Sequence, residues 1–167
     1  SSLGVQIEAG IELTEASALD ELISRLQGLC LDGVILNAGI LHSNALNNLD
    51  VEAIRQQFEI NALAPLRLVS ALTCNLSSGS WIALMTSRMG SIADNSSGGS
   101  YGYRMSKAAL NIAGKSLAID LKPQGIAVVI LHPGLVSTRM INFNPSGISP
   151  QQSVEGLLKR IDALTLE

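Results

Sequence analysis

Tyr103 and Lys107 stand four residues apart in the stretch GSYGYRMSKAALN, in a chain whose aromatic content is only 3% and whose charged content is 15%. A separation of four puts both side chains on one face of a helix. A phenol alone, with a pKa of about 10, is a poor base at neutral pH. An ammonium held beside it favours the phenolate and lowers that pKa. Such a pair can exchange a proton with a substrate alcohol or carbonyl. The other reading of the spacing is a partly exposed tyrosine beside a solvated lysine. Tyr101 is the competing phenol, but Met105 follows it by four and brings no charge, so Tyr101 reads as a wall or packing residue.

Other candidate groups fall where short apolar runs end. Ser87 closes SWIALMTS; at the carboxyl end of a parallel strand its hydroxyl faces the crevice where open α/β sheets bind ligands, placed to donate to a substrate oxygen. No G-x-S-x-G surrounds any serine, which argues against a hydrolase nucleophile. Asn61 precedes Pro65 by four, and because proline has no N–H the carbonyl of residue 61 loses its helical partner and is free to hold a water or a lysine. Asn37, Ala38 and Gly39 end another apolar run, and small residues there let a flat ligand approach the backbone. Pro133 and Gly134 do the same after a third run, where Thr138 can hydrogen-bond an amide.

The elements that must position these groups can be read from periodicity. EASALDELISRLQG carries Leu19, Leu22, Ile23 and Leu26 on a helical face, with Thr14 as N-cap and Gly28 as stop. Residues 34–36 read as a buried strand. A helix capped by Asp50 or Asn48 follows and should bend at Pro65. SWIALMTS and IAVVILHPG read as two more buried strands. RMGSIADNSSGGS has no periodicity and reads as a mobile loop. Residues 101–121 form a helix ended by KPQG, and QQSVEGLLKRIDALTLE closes the chain as another. Alternating helices and strands mean right-handed crossovers, a parallel sheet and helices on both faces: a partial Rossmann-type, doubly wound α/β fold in one domain over residues 1–167.

Composition agrees. At 167 residues with 47% hydrophobic and 3% aromatic content, the core must be aliphatic, as suits parallel strands covered by helices. A net charge of -3 without a basic block lacks the footprint of nucleic-acid binding. No apolar run is long enough for a membrane span, and SSLGVQIEAG has neither the basic nor the apolar region of a signal peptide. Cys30 and Cys74 read as free buried thiols of a reduced, cytoplasmic compartment. His42 and His132 are too isolated to suggest a metal site.

Taken in order and spacing, NAG at 37–39, Asn61, TS at 86–87, YRMSK at 103–107 and HPGLVST at 132–138 resemble the short-chain dehydrogenase/reductase family. SRMGSI and GLLKRID look most like the branch that includes cell–cell signalling C-factor proteins. The resemblance implies a tetrad: Tyr103 as acid/base, Lys107 lowering its pKa and holding the nicotinamide ribose, Ser87 orienting the substrate carbonyl, and Asn61 holding the water of a proton relay. It implies NAD or NADP, with Asn37, Ala38 and Gly39 by the adenosine side, Glu12 where an acidic residue often meets adenine, and Pro133, Gly134, Val136 and Thr138 by the nicotinamide amide. It further implies a small carbonyl or alcohol substrate, an insertion in the Gly/Ser loop between Ser87 and Tyr103, and a homo-oligomer paired through helices at 50–75 and 101–121. Ala108, Ala109, Ala113 and Gly114 would allow close packing there.

The family's opening glycine-rich turn for a pyrophosphate is not in this sequence. By the resemblance, the first two βα units and the last strand are missing, residues 5 to 13 correspond to the stretch around the third strand, and the strand ending before Asn37 is an open apolar edge. The expectation is a chain that alone is unstable, aggregates or pairs across that edge. Two functions stand: a nicotinamide-dependent oxidoreductase, or a non-catalytic binding or cell–cell signalling module on the same scaffold.

Overall fold

The computed structural model describes residues 6–166. Its elements run α1 (Ala16–Arg25), β1 (Gly33–Leu36), α2 (Val51–Phe58), a π turn (Glu59–Leu63), α3 (Ala64–Leu72), β2 (Trp81–Met85), α4 (Tyr101–Leu121), β3 (Ala127–Leu131) and α5 (Pro150–Asp162). The three strands form one parallel sheet in the order β1-β2-β3, with Ile35 opposite Ala83 and Ala83 opposite Val129.

Side chains alternate across the central strand, as the two-residue period of a strand requires. Ile82 and Leu84 point into a core with Leu36, Leu19 of α1, Leu68, Val69 and Leu72 of α3, and Leu110 and Leu121 of α4. Ala83 points the other way, where Leu131 and Ile161 of α5 meet it with Trp81, Met85 and Leu157 around them. Helices therefore cover both faces, and the doubly wound α/β arrangement expected from the pattern is present. Among the described residues β1 has a strand neighbour on one side only, and Ile35 on it is 47% exposed.

Local chemistry sets most boundaries. Asp50 caps α2, accepting from the Ala53 N–H at 2.9 Å. Ser149 and Gln152 form a reciprocal capping box that starts α5. Pro65 offers no N–H to the carbonyl of Asn61, and the helix widens just before it into the π turn, where Ala64 N–H reaches back five residues to Glu59.

Several expectations are corrected. Thr14 does not cap α1; its hydroxyl and amide both donate to Glu12 at 2.9 and 3.2 Å, and Glu15 takes the cap position without a side-chain bond. The strand expected near residues 5 to 13 begins at Val5, outside the described residues, and 6–13 form no strand. Cys30 and Cys74 are free but exposed rather than buried: one lies in the surface connection into β1, the other in a tight turn after α3. Gly114 faces the sheet, not an outer surface; a Cβ there would sit 2.8 Å from Leu84 and 2.9 Å from Ile130.

The segment 88–100 is tied down rather than structureless. The Arg104 guanidinium donates to Gly99 O at 3.2 Å, Ser97 Oγ at 2.8 Å and Met89 O at 3.5 Å, and Arg88 pairs with Asp94. Gly90 brings this segment against α4, since a Cβ there would meet the Lys107 carbonyl group at 2.8–2.9 Å. Backbone cannot yield as a flexible side chain can, so Gly90→Ala should lower stability by about 1–3 kcal/mol. Urea unfolding checks this; an unchanged midpoint would show that the loop does not press on the helix.

Candidate active site

One face of α4 carries the chemistry. Tyr103, Ser106, Lys107, Leu110 and Gly114, spaced by three and four, are among the residues that α4 turns inward. The helix reaches the site end of the sheet through Ser100, which adopts φ 47° as its N-cap, after Gly98 and Gly99 at φ 62° and 63°. Glycine adopts such left-handed backbone at no steric cost, which suits Gly98 and Gly99 to this turn into the helix.

Lys107 is 4% exposed, and its ammonium donates to the carbonyl of Met85, the last residue of the central strand, at 2.8 Å. Burial brings its pKa down to about 8. The ammonium nitrogen lies 5.8 Å from the centre of the Tyr103 ring. Tyr103 is 8% exposed. Burial raises its pKa, and the nearby Ser87 hydroxyl acts in the opposite direction. This corrects the expectation that the lysine pulls the phenol down. Loss of water around the phenolate outweighs the other influences, and the Lys107 ammonium is committed to a carbonyl.

Ser87 lies just beyond β2, and its Oγ accepts from the Met89 N–H at 3.1 Å. Asn61 is fully buried in the π turn and ties three elements together. Its Oδ1 accepts from the Ile40 N–H at 2.8 Å; its Nδ2 donates to Ile40 O at 2.9 Å and to Ser106 Oγ at 3.0 Å. Ser106 in turn donates to the Tyr103 carbonyl at 2.9 Å. The chain of contacts from the β1 loop through Asn61 and Ser106 to Tyr103 is thus continuous. Ser106 and Arg104 went unread in the sequence. The i, i+3, i+4 pattern of small and functional residues along α4 was the signal for Ser106.

Asn37 and Ala38 are exposed beyond β1, and Gly39 runs close beneath the site. A Cβ on Gly39 would come within 3.2 Å of Asn61 Oδ1 and 3.5 Å of the Lys107 ammonium. The small residues at 37–39 therefore leave backbone open beside the lysine, a shape that fits a flat ribose-bearing group. Gly134, at φ 87°, leaves β3 in a conformation that a larger residue resists. Pro133 and Gly134 border a groove between β3 and α5 of about 570 Å³, and Val136 bridges to Ile148 beyond it. Thr138 starts a short turn, its carbonyl accepting from Ile141 and Phe143.

The structure brings together Tyr103, Lys107, Ser87, Asn61 and Gly39. Pro133, Gly134, Val136 and Thr138 follow the neighbouring strand end. Glu12 is not brought to this cluster: it is exposed and borders a separate hollow with Thr14, His42 and the first turns of α2.

A family model described as short chain dehydrogenase matches residues 7–147. The chain is 41% identical over 172 aligned positions to a 1-hydroxy-2-glutathionyl-2-methyl-3-butene dehydrogenase of Rhodococcus sp. (strain AD45), spanning 100% of this chain and 76% of that protein. It is 46% identical over 139 positions to the C-signal protein of Myxococcus xanthus, spanning 81% and 83%. Among solved structures, the NADPH-bound carbonyl reductase from chicken fatty liver superposes with a TM-score of 0.80 at 31% identity, over 92% of this chain and 68% of that one. The carbonyl reductase Sniffer of D. melanogaster gives 0.80 at 30% identity, over 89% and 67%.

Linkage fixes how the buried lysine should affect stability. The Lys107 pKa in the fold, about 8, lies below its ordinary 10.5. Between these values the unfolded chain holds the extra proton, so stability rises with pH through that window. The raised pKa of Tyr103 adds the opposite slope only above 10. Urea unfolding from pH 7.5 to 10 should show this gain in the wild type and lose it in Lys107→Met. Parallel pH curves for the two would contradict the burial of the charge.

Proposed function

The chain belongs to the short-chain dehydrogenase family, and from that premise we propose that it is an NAD(P)-dependent oxidoreductase acting on a small carbonyl or alcohol substrate. The single observation that carries this reading is the phenol of Tyr103, buried on the inward face of α4 with the Lys107 ammonium 5.8 Å from its ring centre. A bound nicotinamide supplies the hydride chemistry. The residues of this chain do the rest. Lys107 would hold the nicotinamide ribose, Asn37, Ala38 and Gly39 would lie by the adenosine side, and Pro133, Gly134, Val136 and Thr138 would lie by the nicotinamide amide. Glu12, in the hollow it shares with His42 and α2, is the acidic group that would meet the adenine end.

Tyr103 gives a proton to the carbonyl oxygen during reduction and takes one from the alcohol during oxidation. Ser87 donates its hydroxyl to the same substrate oxygen, since its acceptor side already receives the Met89 N–H. Asn61 fixes the loop after β1, and its backbone carbonyl, to which Pro65 offers no N–H, would hold a relay water. The Tyr103 phenol is protonated at neutral pH and its burial moves its pKa further up, so it enters carbonyl reduction as the proton donor. Among the described residues no helix is long and apolar enough to cross a membrane. A cytoplasmic location is part of the proposal, and its support is the two free cysteines. Exposed Leu63, Leu66, Met105, Ile112 and Ile119 on the helices at 50–75 and 101–121 suit pairing of two copies.

The similarity to C-signal supports the second reading, a binding or signalling module. Titration with NADPH and NADH, followed by turnover with a panel of aldehydes, ketones and alcohols, separates the two. The oxidoreductase reading expects binding and turnover, with Tyr103→Phe retaining binding while kcat falls by about 10²–10⁴-fold. Carbonyl reduction should hold steady across neutral pH, and alcohol oxidation, which needs the phenolate, should rise with pH. Binding without turnover by the wild type would favour the module.

A further inference from the structure

The β2–β3 ladder ends in an unusual way. Met85 lies opposite Leu131, and the Thr86 N–H extends the ladder by donating to Leu131 O at 2.8 Å. In a parallel ladder the next rung joins the Arg88 N–H to the carbonyl of Pro133. Ser153 Oγ of α5 donates to that carbonyl at 2.7 Å, and the Arg88 N–H does not reach it. The Arg88 N–H donates instead to Nδ1 of His132, at 3.3 Å. An imidazole side chain therefore completes a rung that backbone leaves open.

Ser87 lies between the two held N–H groups. Its own carbonyl accepts from Gly90 and its Oγ from Met89, so the direction of the hydroxyl depends on where residues 88–90 lie. We propose that His132 is a positioning residue: its neutral Nδ1 fixes the peptide after Ser87 and so aims the serine hydroxyl. The inference rests on the reading of Ser87 as the donor to a substrate carbonyl.

The rung requires an unprotonated Nδ1, because an imidazolium has no acceptor. The charged groups facing the ring are Arg88, in the turn after β2, Asp94, in the loop, and Arg160 of α5, which borders the same groove. Burial and the Arg88 cation push the imidazole below its ordinary value of 6.5, against the pull of Asp94. The bond is therefore present at neutral pH. It is lost as pH falls through the lowered pKa, releasing Ser87.

Amide NMR of the full chain labelled with ¹⁵N-arginine, from pH 8 to 5, tests the rung directly. The Arg88 amide proton should shift upfield with one midpoint below 6.5. His132→Phe should show the shifted position at every pH. His132→Asn, whose side-chain oxygen accepts but does not titrate, should keep the hydrogen-bonded position throughout. With NADPH and the best carbonyl of the substrate panel, His132→Phe should lower kcat by about 10- to 100-fold through misplacement of Ser87. His132→Asn should restore it and remove the acid fall in rate. An Arg88 amide unchanged in His132→Phe, or an acid fall unchanged in His132→Asn, overturns the proposal. Absence of turnover in the wild type would sink the oxidoreductase reading instead, and the amide titration would still decide whether His132 holds the rung.

Discussion

A lysine ammonium buried to 4% exposure and donating to the carbonyl of Met85 is the contact on which the site depends. A buried charge needs a strong acceptor held in place. The end of a central parallel strand supplies one, because the strand is fixed on both sides by its neighbours. The contact also sets the height and rotation of α4 over the sheet. Tyr103, one turn earlier on the same face, is then delivered to Ser87 at the end of that same strand.

The surrounding elements keep this delivery rigid. Asn61 spends both ends of its amide on the β1 loop and on Ser106, so that loop and helix move together. The π turn that Pro65 imposes puts Asn61 inward. Gly90 lets backbone approach Lys107 where a methyl group would not fit, and a Cβ on Gly39 would crowd Asn61 Oδ1 at 3.2 Å. Arg104, lying between Tyr103 and Met105, binds both ends of the 88–100 loop and makes that loop a wall of the site. The burial that results explains both pKa directions: the amine is lowered and the phenol is raised, each away from its charged form.

Much of this was legible because it is local. Strand ends are marked by glycine, proline and asparagine, and the three that collect the site were read at 37–39, 86–87 and 133–134. The four-residue spacing of Tyr103 and Lys107 follows from helical geometry alone, as does the disturbance at Pro65. What escaped depends on distant partners. Thr14 looks like a cap until Glu12 takes its hydroxyl. Gly114 looks like a surface for a second copy until Leu84 and Ile130 are placed against it. Cys30 and Cys74 have apolar neighbours in sequence, yet lie on connections at the surface. The spacing of Tyr103 and Lys107 shows the nearby charge and hides the lost water that raises the phenol's pKa. His132 reads as an isolated histidine until the ladder of β2 and β3 is counted rung by rung.

If the phenol, the ammonium and the Met85 carbonyl act as one unit, losing one member should cost nearly as much as losing two. The direct test is a double-mutant cycle on kcat/KM for NADPH-dependent carbonyl reduction, with Tyr103→Phe, Lys107→Met and the pair combined. The expected result is a double variant no slower than the worse single variant. Losses that multiply, or a Lys107→Met variant as fast as the wild type, would contradict the account.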